Sequence, residues 1–258
     1  MRANQIKRIM ARVLDAVGIC SLGIYLQRAI YGPHIRVVNY HNISREDIDN
    51  FEIQLGWYQT KFAVVSEIDL AGFVKGGRWD ENKPGLILSF DDGLASHSEV
   101  AAPMLEKHGM TGWFFVPTDS RELQGDELRE LAERHVVGSH TKTHCRMRST
   151  VPNETVIDEI KGSRTDLEAA LKSPVDTFAW VGGEEESYSR EAAGVIRDTY
   201  SFGFMTNNAV ITSNCDPYQL QRTNIEADYP LWLVRFQLSG LMDIFYYLKR
   251  RRVNRLTA

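Results

Sequence analysis

Short apolar runs alternate with stretches of helical period along most of the chain. Residues 35–41, 86–90, 111–116, 177–181, 202–206 and 219–225 are such runs, and another begins at Val136. Their length and their turn-forming borders predict strands, with a shorter strand at 62–66. Between them the apolar spacing changes to three and four. Ile48, Phe51, Leu55 and Tyr58 mark a helix over 47–60. Val100, Ala101, Met104 and Leu105 mark one over 96–108, and Val156, Ile160, Leu167 and Leu171 a long one over 153–171. Further helices are predicted at 126–135 and 188–200. Strand and helix in alternation predict βα units and parallel pairing, an α/β fold. There is no internal repeat, low-complexity tract or internal linker.

Both ends carry a different pattern. Residues 4–31 read as one helix with Ile6, Met10, Val13, Leu14, Val17 and Ile24 as its apolar positions. Its uncharged part, Ala16 to Gln27, is too short to span a bilayer, and no clean cleavage site follows it. Residues 232–248 are strongly apolar and precede Lys249-Arg250-Arg251-Arg252, with Arg255 beyond. The expected organisation is a 1–34 N-terminal amphipathic helix, a 35–228 barrel and a 229–258 C-terminal amphipathic helix with a basic tail.

Composition narrows the function classes. The chain has 258 residues and a net charge of −4, which gives no argument for nucleic acid. Cys20, Cys145 and Cys215 are odd in number and widely spaced, a pattern that favours a reducing compartment. The two basic ends beside apolar faces suit an anionic membrane surface. The expected location is therefore cytoplasmic, peripheral on the inner face of the membrane. The competing reading is that both terminal helices pack on the domain and their cations serve helix ends and solubility.

The chemistry is concentrated in two stretches. Leu86-Ile87-Leu88-Ser89-Phe90-Asp91-Asp92-Gly93 is a strand that ends in two carboxylates. Val136-Val137-Gly138-Ser139-His140-Thr141-Lys142-Thr143-His144 is a strand that ends in two imidazoles four apart. A helical turn after the second strand would put both imidazoles on one face. One carboxylate and two histidines make a three-ligand metal set with open positions, and a second carboxylate beside it can act as a base. The residues read as a metal hydrolase. The bland alternative for Asp91-Asp92-Gly93 is a strand ending in an Asp-Gly turn.

With these motifs, Ser89-Phe90-Asp91-Asp92-Gly93 and His140-Thr141-Lys142-Thr143-His144, the chain resembles polysaccharide deacetylases of the NodB-homology type, carbohydrate esterase family four. The resemblance is best over 35–225. It implies an irregular (β/α) barrel of seven strands, here with extra N- and C-terminal helices. It implies Asp91 as catalytic base and Asp92, His140 and His144 as ligands of one divalent ion, zinc on general grounds, with cobalt, nickel and manganese open. It also implies an N-acetylated amino-sugar glycan as substrate, in a polysaccharide or a lipid-linked intermediate.

Two departures shape the rest. The family's common Arg-x-Pro is absent, Phe178-Ala179-Trp180-Val181-Gly182-Gly183 standing in its place, and no histidine follows His144. His41 ends a strand as Asp91 and His140 end theirs, and is the candidate acid. Its alternative role is to cap a strand. Arg222, in a late strand that closure brings toward the first, is the candidate partner of Asp91. A surface cation is the alternative. Trp180 is either a sugar platform or core, and Glu184, Glu185 and Glu186 either line the cleft or form a solvated loop. His34, His97, His108 and His135 are expected at the surface or at helix ends. A catalytically silent sugar-binding protein, a glycan-assembly partner and a deformylase of a lipid-linked amino sugar are the other functions considered.

Overall fold

The computed structural model describes residues 2–77, 79, 81–119 and 122–257, with side chains left aside for 2–7 and 257. Ile6, counted above on the first helix, and the cations Arg2 and Lys7 of the basic N-terminal end therefore have side chains outside the described residues. Among the described residues nine strands form one sheet: β1 (Ile35–Tyr40), β2 (Ala63–Val64), β3 (Gly85–Asp91), β4 (Gly112–Val116), β5 (Val136–Ser139), β6 (Thr177–Ala179), β7 (Phe202–Met205), β8 (Leu220–Gln221) and β9 (Thr223–Asn224). Every ladder between them is parallel, in the order β8-β7-β6-β5-β4-β3-β1-β9. β2 lies off this path and pairs with the first residues of β3, before β4 joins at Leu88.

The path has eight strands where seven are expected, because the run 219–225 serves both edges of the sheet. Leu220 and Gln221 pair with Phe204 and Met205, and Thr223 and Asn224 with Val38 and Asn39. Arg222 sits at the crossing. Its N–H still bonds Met205 O at 2.8 Å, whereas Ile225 N–H already bonds Asn39 O at 2.9 Å. One run thus passes from one edge to the other, and the barrel is nearly closed.

The strands read as continuous apolar runs because both faces are buried. Val38, Leu88, Phe90 and Phe114 point out to the helices and join the larger core. Val37, Ile87, Trp113, Phe115, Phe204 and Leu220 point in and fill the barrel. Side chains alternate along a strand, so Asn39, Ser89 and Asp91 share the inward face with Val37 and Ile87. The apolar interior therefore ends in a polar layer at the C-terminal rim.

The N-terminal segment is two helices, Arg2–Ala16 and Ile19–Tyr31, where one was expected. The break is at Gly18, whose φ of 82° is a left-handed conformation that suits glycine. The C-terminal segment likewise divides into Leu231–Leu238 and Leu241–Thr257 around Gly240, with φ 87°. A buried clamp ties these additions to the barrel. Arg36 of β1 donates to both oxygens of Asp243, at 3.0 and 2.7 Å, and its Nε donates to Gln27 Oε1 at 2.9 Å.

Removing one partner of such a pair leaves the other charge buried and unpaired. Asp243→Ala should cost about 3–5 kcal/mol, and its thermal midpoint should fall by roughly 10 °C. A melt within a degree or two of wild type would show that the clamp carries little of the fold's stability.

Candidate active site

Asp91 is the last residue of β3 and lies on the inward face, 3% exposed. Arg222 meets it two-pronged, Nη1 to Oδ1 at 2.6 Å and Nη2 to Oδ2 at 2.7 Å. Asn39 Nδ2 donates to Asp91 Oδ2 at 3.0 Å, and Asn39 Oδ1 accepts from Arg222 Nη1 at 2.9 Å and from Ser89 Oγ at 3.1 Å. The guanidinium stands 5.4 Å from the Phe115 ring, the apolar floor below it. Burial opposes the charge on Asp91, but Arg222 overrides it, helped by His140, and holds the carboxyl below the usual range. Arg222 is itself fully buried, which excludes the surface-cation alternative.

The chain then turns sharply. Asp92 has φ 83° and Gly93 φ 61°, two successive left-handed residues. A non-glycine residue there costs about 1–2 kcal/mol, and such strain clusters at functional sites. The turn lifts Asp92 from the barrel to the rim, where its side chain is half-buried. His140 follows β5 directly and is buried; His144 reaches the same point from the loop beyond. Their Nε2 atoms lie 3.5 and 3.0 Å from Asp92 Oδ1, with the rings 5.1 Å apart. One ligand atom from each of Asp92, His140 and His144 lies within 4.8 Å of the others. Burial raises the Asp92 carboxyl, but hydrogen bonds from both imidazoles outweigh it and push it far below its ordinary value.

The loop that brings the imidazoles together is irregular, not the helical turn expected from their spacing. Thr141 and His144 adopt positive φ, 69° and 60°, and this reversal converges the two rings. Glu159, buried on the helical stretch 153–171, holds the loop. Its Oε2 accepts from Lys142 N–H and Thr143 N–H, both at 2.9 Å, and its other oxygen accepts from the Thr143 hydroxyl. The helix widens into π-helical turns over Asp158–Gly162, around this residue. Nothing in the sequence pattern singles Glu159 out, because its partners are backbone amides of a distant loop.

The residues fit a divalent cation. His140 Nδ1–H donates to Ala179 O at 2.8 Å, which leaves the Nε2 lone pair toward the cluster. Two imidazoles and a carboxylate hold a transition metal and leave coordination positions free.

His41 stands at the end of β1, half exposed, with Nδ1 3.1 Å from Glu226 Oε1. The Glu226 hydrogen bond raises its pKa against the opposing effect of burial, and the Asp91 and Asp92 charges add to the rise. Beneath it lies His97, buried and pushed down to about 4 by burial. A neutral His97 donates Nε2–H to the His41 carbonyl at 2.9 Å. Asn39, Glu226 and His97 are the other residues that sequence reasoning missed.

Several expectations need correction. His34 is buried and not at the surface, whereas His97 and His135 do stand at helix ends but are buried there. His34 Nδ1 bonds Gly32 O, and His135 Nδ1 accepts from Gly112 N–H, so both serve local backbone. Trp180 is core, stacked on Tyr188 at 4.7 Å, not a sugar platform. Glu185 of the acidic block pairs with Arg252 of the last helix. The groove at the metal ligands is lined instead by Asp92, Pro117, Asp119, Lys142, Thr143 and His144.

A parallel barrel with a metal triad and a buried carboxylate at its C-terminal rim defines a metal-dependent hydrolase. Residues 79–198 match the polysaccharide deacetylase family, a span that holds Asp91, Asp92, His140 and His144. The matched span is a little under half of the chain, and over it the chain is similar to polysaccharide deacetylases. YxkH of Bacillus subtilis (strain 168), a predicted polysaccharide deacetylase, is 22% identical over 207 residues, 73% of this chain and 70% of that one. Among solved structures, the Streptococcus pyogenes deacetylase PplD in complex with acetate superposes with TM-score 0.69 and 19% identity, over 79% of this chain and 98% of that one. IcaB from Ammonifex degensii gives 0.65 and 18%, over 83% and 98%. These two likenesses concern the fold.

The triad predicts about one equivalent of divalent metal per chain, read by elemental analysis. Asp92→Ala should abolish retention, and Glu159→Ala should weaken it by ~10–100-fold through the loosened loop. Near-zero metal in the wild type after reconstitution with zinc, cobalt, nickel and manganese would refute the site.

Proposed function

We propose that the chain hydrolyses the acetamide of an N-acetylated amino sugar in a glycan, with Asp91 as base and His41 as acid. The observation that carries this reading is the buried Asp91–Arg222–Asn39 array beside the metal triad. A metal held only for structure needs no adjacent ionised acid. A divalent ion on Asp92, His140 and His144, zinc in our assignment, supplies Lewis acidity toward an acyl oxygen.

The protein's own groups do the rest. Asp91 is locked by three hydrogen bonds and kept ionised, so it accepts a proton from the attacking water without reorientation. His41, whose pKa the Glu226 hydrogen bond raises, donates to the nitrogen of the breaking C–N bond. Acetate and a free amino sugar leave. Arg222 reaches Asp91 from the late strand, and so does the work of the missing Arg-x-Pro arginine.

For the substrate, we favour a lipid-linked glycan intermediate, met at the cytoplasmic leaflet by a peripheral protein. The cysteine pattern and the basic terminal segments support that location. Among the described residues no single helix is long and apolar enough to cross a membrane. The two N-terminal helices reach that length and apolarity only together, and they are bent by 75°.

Asp91→Asn should abolish release of acetate while metal content stays near wild type. Acetylated and formylated amino sugars assayed side by side identify the acyl group, and no turnover of either by the metal-loaded wild type would end the enzymatic proposal. His41→Ala should slow turnover by ~10²–10⁴-fold. Because Glu226 raises the His41 pKa, an acid at that position acts up to higher pH. Glu226→Gln should therefore move the alkaline limb of kcat/KM to lower pH. An alkaline limb that stays in place would separate His41 from the proton transfer.

A further inference from the structure

The terminal helices are amphipathic in the wrong sense for a water-facing surface. On Arg2–Ala16 the buried side is marked by Ala11, and Ile9 and Val13 stand on the opposite side. On Ile19–Tyr31 Cys20 and Gln27 face inward, while Leu22, Tyr25 and Leu26 face out. On Leu241–Thr257 Asp243 and Val253 face inward, and Ile244 and Leu248 face out. The exposures are high: Val13 55%, Leu22 55%, Tyr25 75% and Leu248 62%. Scattered apolar residues on a surface need no explanation, but three helices with apolar outer faces do. The first and last helices also border one groove. Met10 and Phe245 line it, with Arg8 and Lys249 among its other lining residues.

Charge identifies what covers this face. These three helices contain ten of the chain's 30 cations and two of its 34 acids, a net charge of +8 against −12 for the remainder. Both acids are spent inward, Asp15 on Arg235 and Asp243 on Arg36. The basic tail is not the free cluster its sequence suggests. Arg250 donates to the Asn207, Asn208 and Asp243 carbonyls, and Arg252 pairs with Glu185. Arg8 and Arg12 flank the outer apolar stripe of the first helix, and Arg251 and Arg255 continue the outer stripe of the last one.

We propose that this face is a monotopic docking surface for an anionic lipid monolayer, with the outer apolar stripes inserted among acyl chains and the flanking cations at the phosphates. The proposal rests on the membrane part of the reading above and moves the contact from the basic tail to the three helices. Length supports lying in the plane over spanning it. Ile19–Tyr31 has 13 residues and covers about 20 Å of a hydrocarbon core about 30 Å thick. A second copy of this chain would bring one basic face against another.

The full-length, metal-loaded protein is floated with vesicles of phosphatidylcholine, with and without phosphatidylglycerol. Flotation should be strong with phosphatidylglycerol, weaker without it, and reduced by salt. Val13→Asp, Leu22→Asp and Leu248→Asp alter exposed positions, so circular dichroism and metal content should not change. Each should weaken vesicle binding about tenfold or more. Arg12→Glu with Arg251→Glu should remove the preference for phosphatidylglycerol. A wild type that stays unbound with both vesicle types overturns the proposal, as do aspartate variants that float as well as wild type. Light scattering that shows a dimer dissolved by the aspartate variants, without vesicle binding, overturns it in favour of self-association. Deacetylation of a soluble N-acetylated oligosaccharide is read in parallel, so failure of docking and failure of the chemistry are scored separately.

Discussion

The two-pronged contact between Arg222 and Asp91 is the interaction on which the site depends. Both groups lie inside the barrel, where an unpaired charge costs several kcal/mol. They are far apart in sequence and meet only because one short run, 219–225, bonds to both edges of the sheet. Closure and the ion pair therefore require each other. A barrel left open at β1 would hydrate Asp91, and a barrel without Arg222 would bury a bare carboxylate. Asn39 completes the layer by accepting from the arginine and donating to the acid, which leaves Arg222 Nε as the guanidinium's unpartnered nitrogen among the described residues.

Above this rigid layer the rim is built from backbone in the left-handed region. Asp92, Gly93, Thr141 and His144 all have positive φ. The turn after β3 separates two consecutive carboxylates by function: Asp91 stays in the barrel on its arginine and Asp92 reaches the imidazoles. The loop after β5 is held from outside by Glu159, whose carboxylate takes two amides that no strand or helix would satisfy. The strain at the rim is offset by these hydrogen bonds and, in the loaded protein, by the ion the three ligands hold.

The chain also separates its charge. The three outer terminal helices are basic with apolar outer faces, while the remainder is acidic. The Arg36–Asp243 clamp joins the two parts through the first strand of the barrel, the strand that ends in Asn39, Tyr40 and then His41. In our reading, one strand couples the surface that meets the lipid to the rim where the sugar is deacetylated.

The βα alternation, the parallel sheet and the two motifs are properties of the linear sequence, because apolar period and residue type are local. Asp91, Asp92, His140 and His144 are legible there too, since ligand chemistry is written in side-chain identity. The geometry that makes them a site is not. The spacing of the histidines suggests a helix, yet two left-handed residues converge them, a choice made by Glu159 from a distant helix. Arg222 can be nominated from its place in a late strand, but its bidentate contact exists only after closure. Glu226 and His97 have no local signature at all, and the burial of His34 and His135 is not legible in the sequence because burial is a property of the packed chain. The break at Gly18 and the outward turn of Val13 and Leu22 are of the same kind. Periodicity reveals that a helix has an apolar face. Only the tertiary structure decides whether that face turns to the core or away from it, because the barrel's own helices already cover the core.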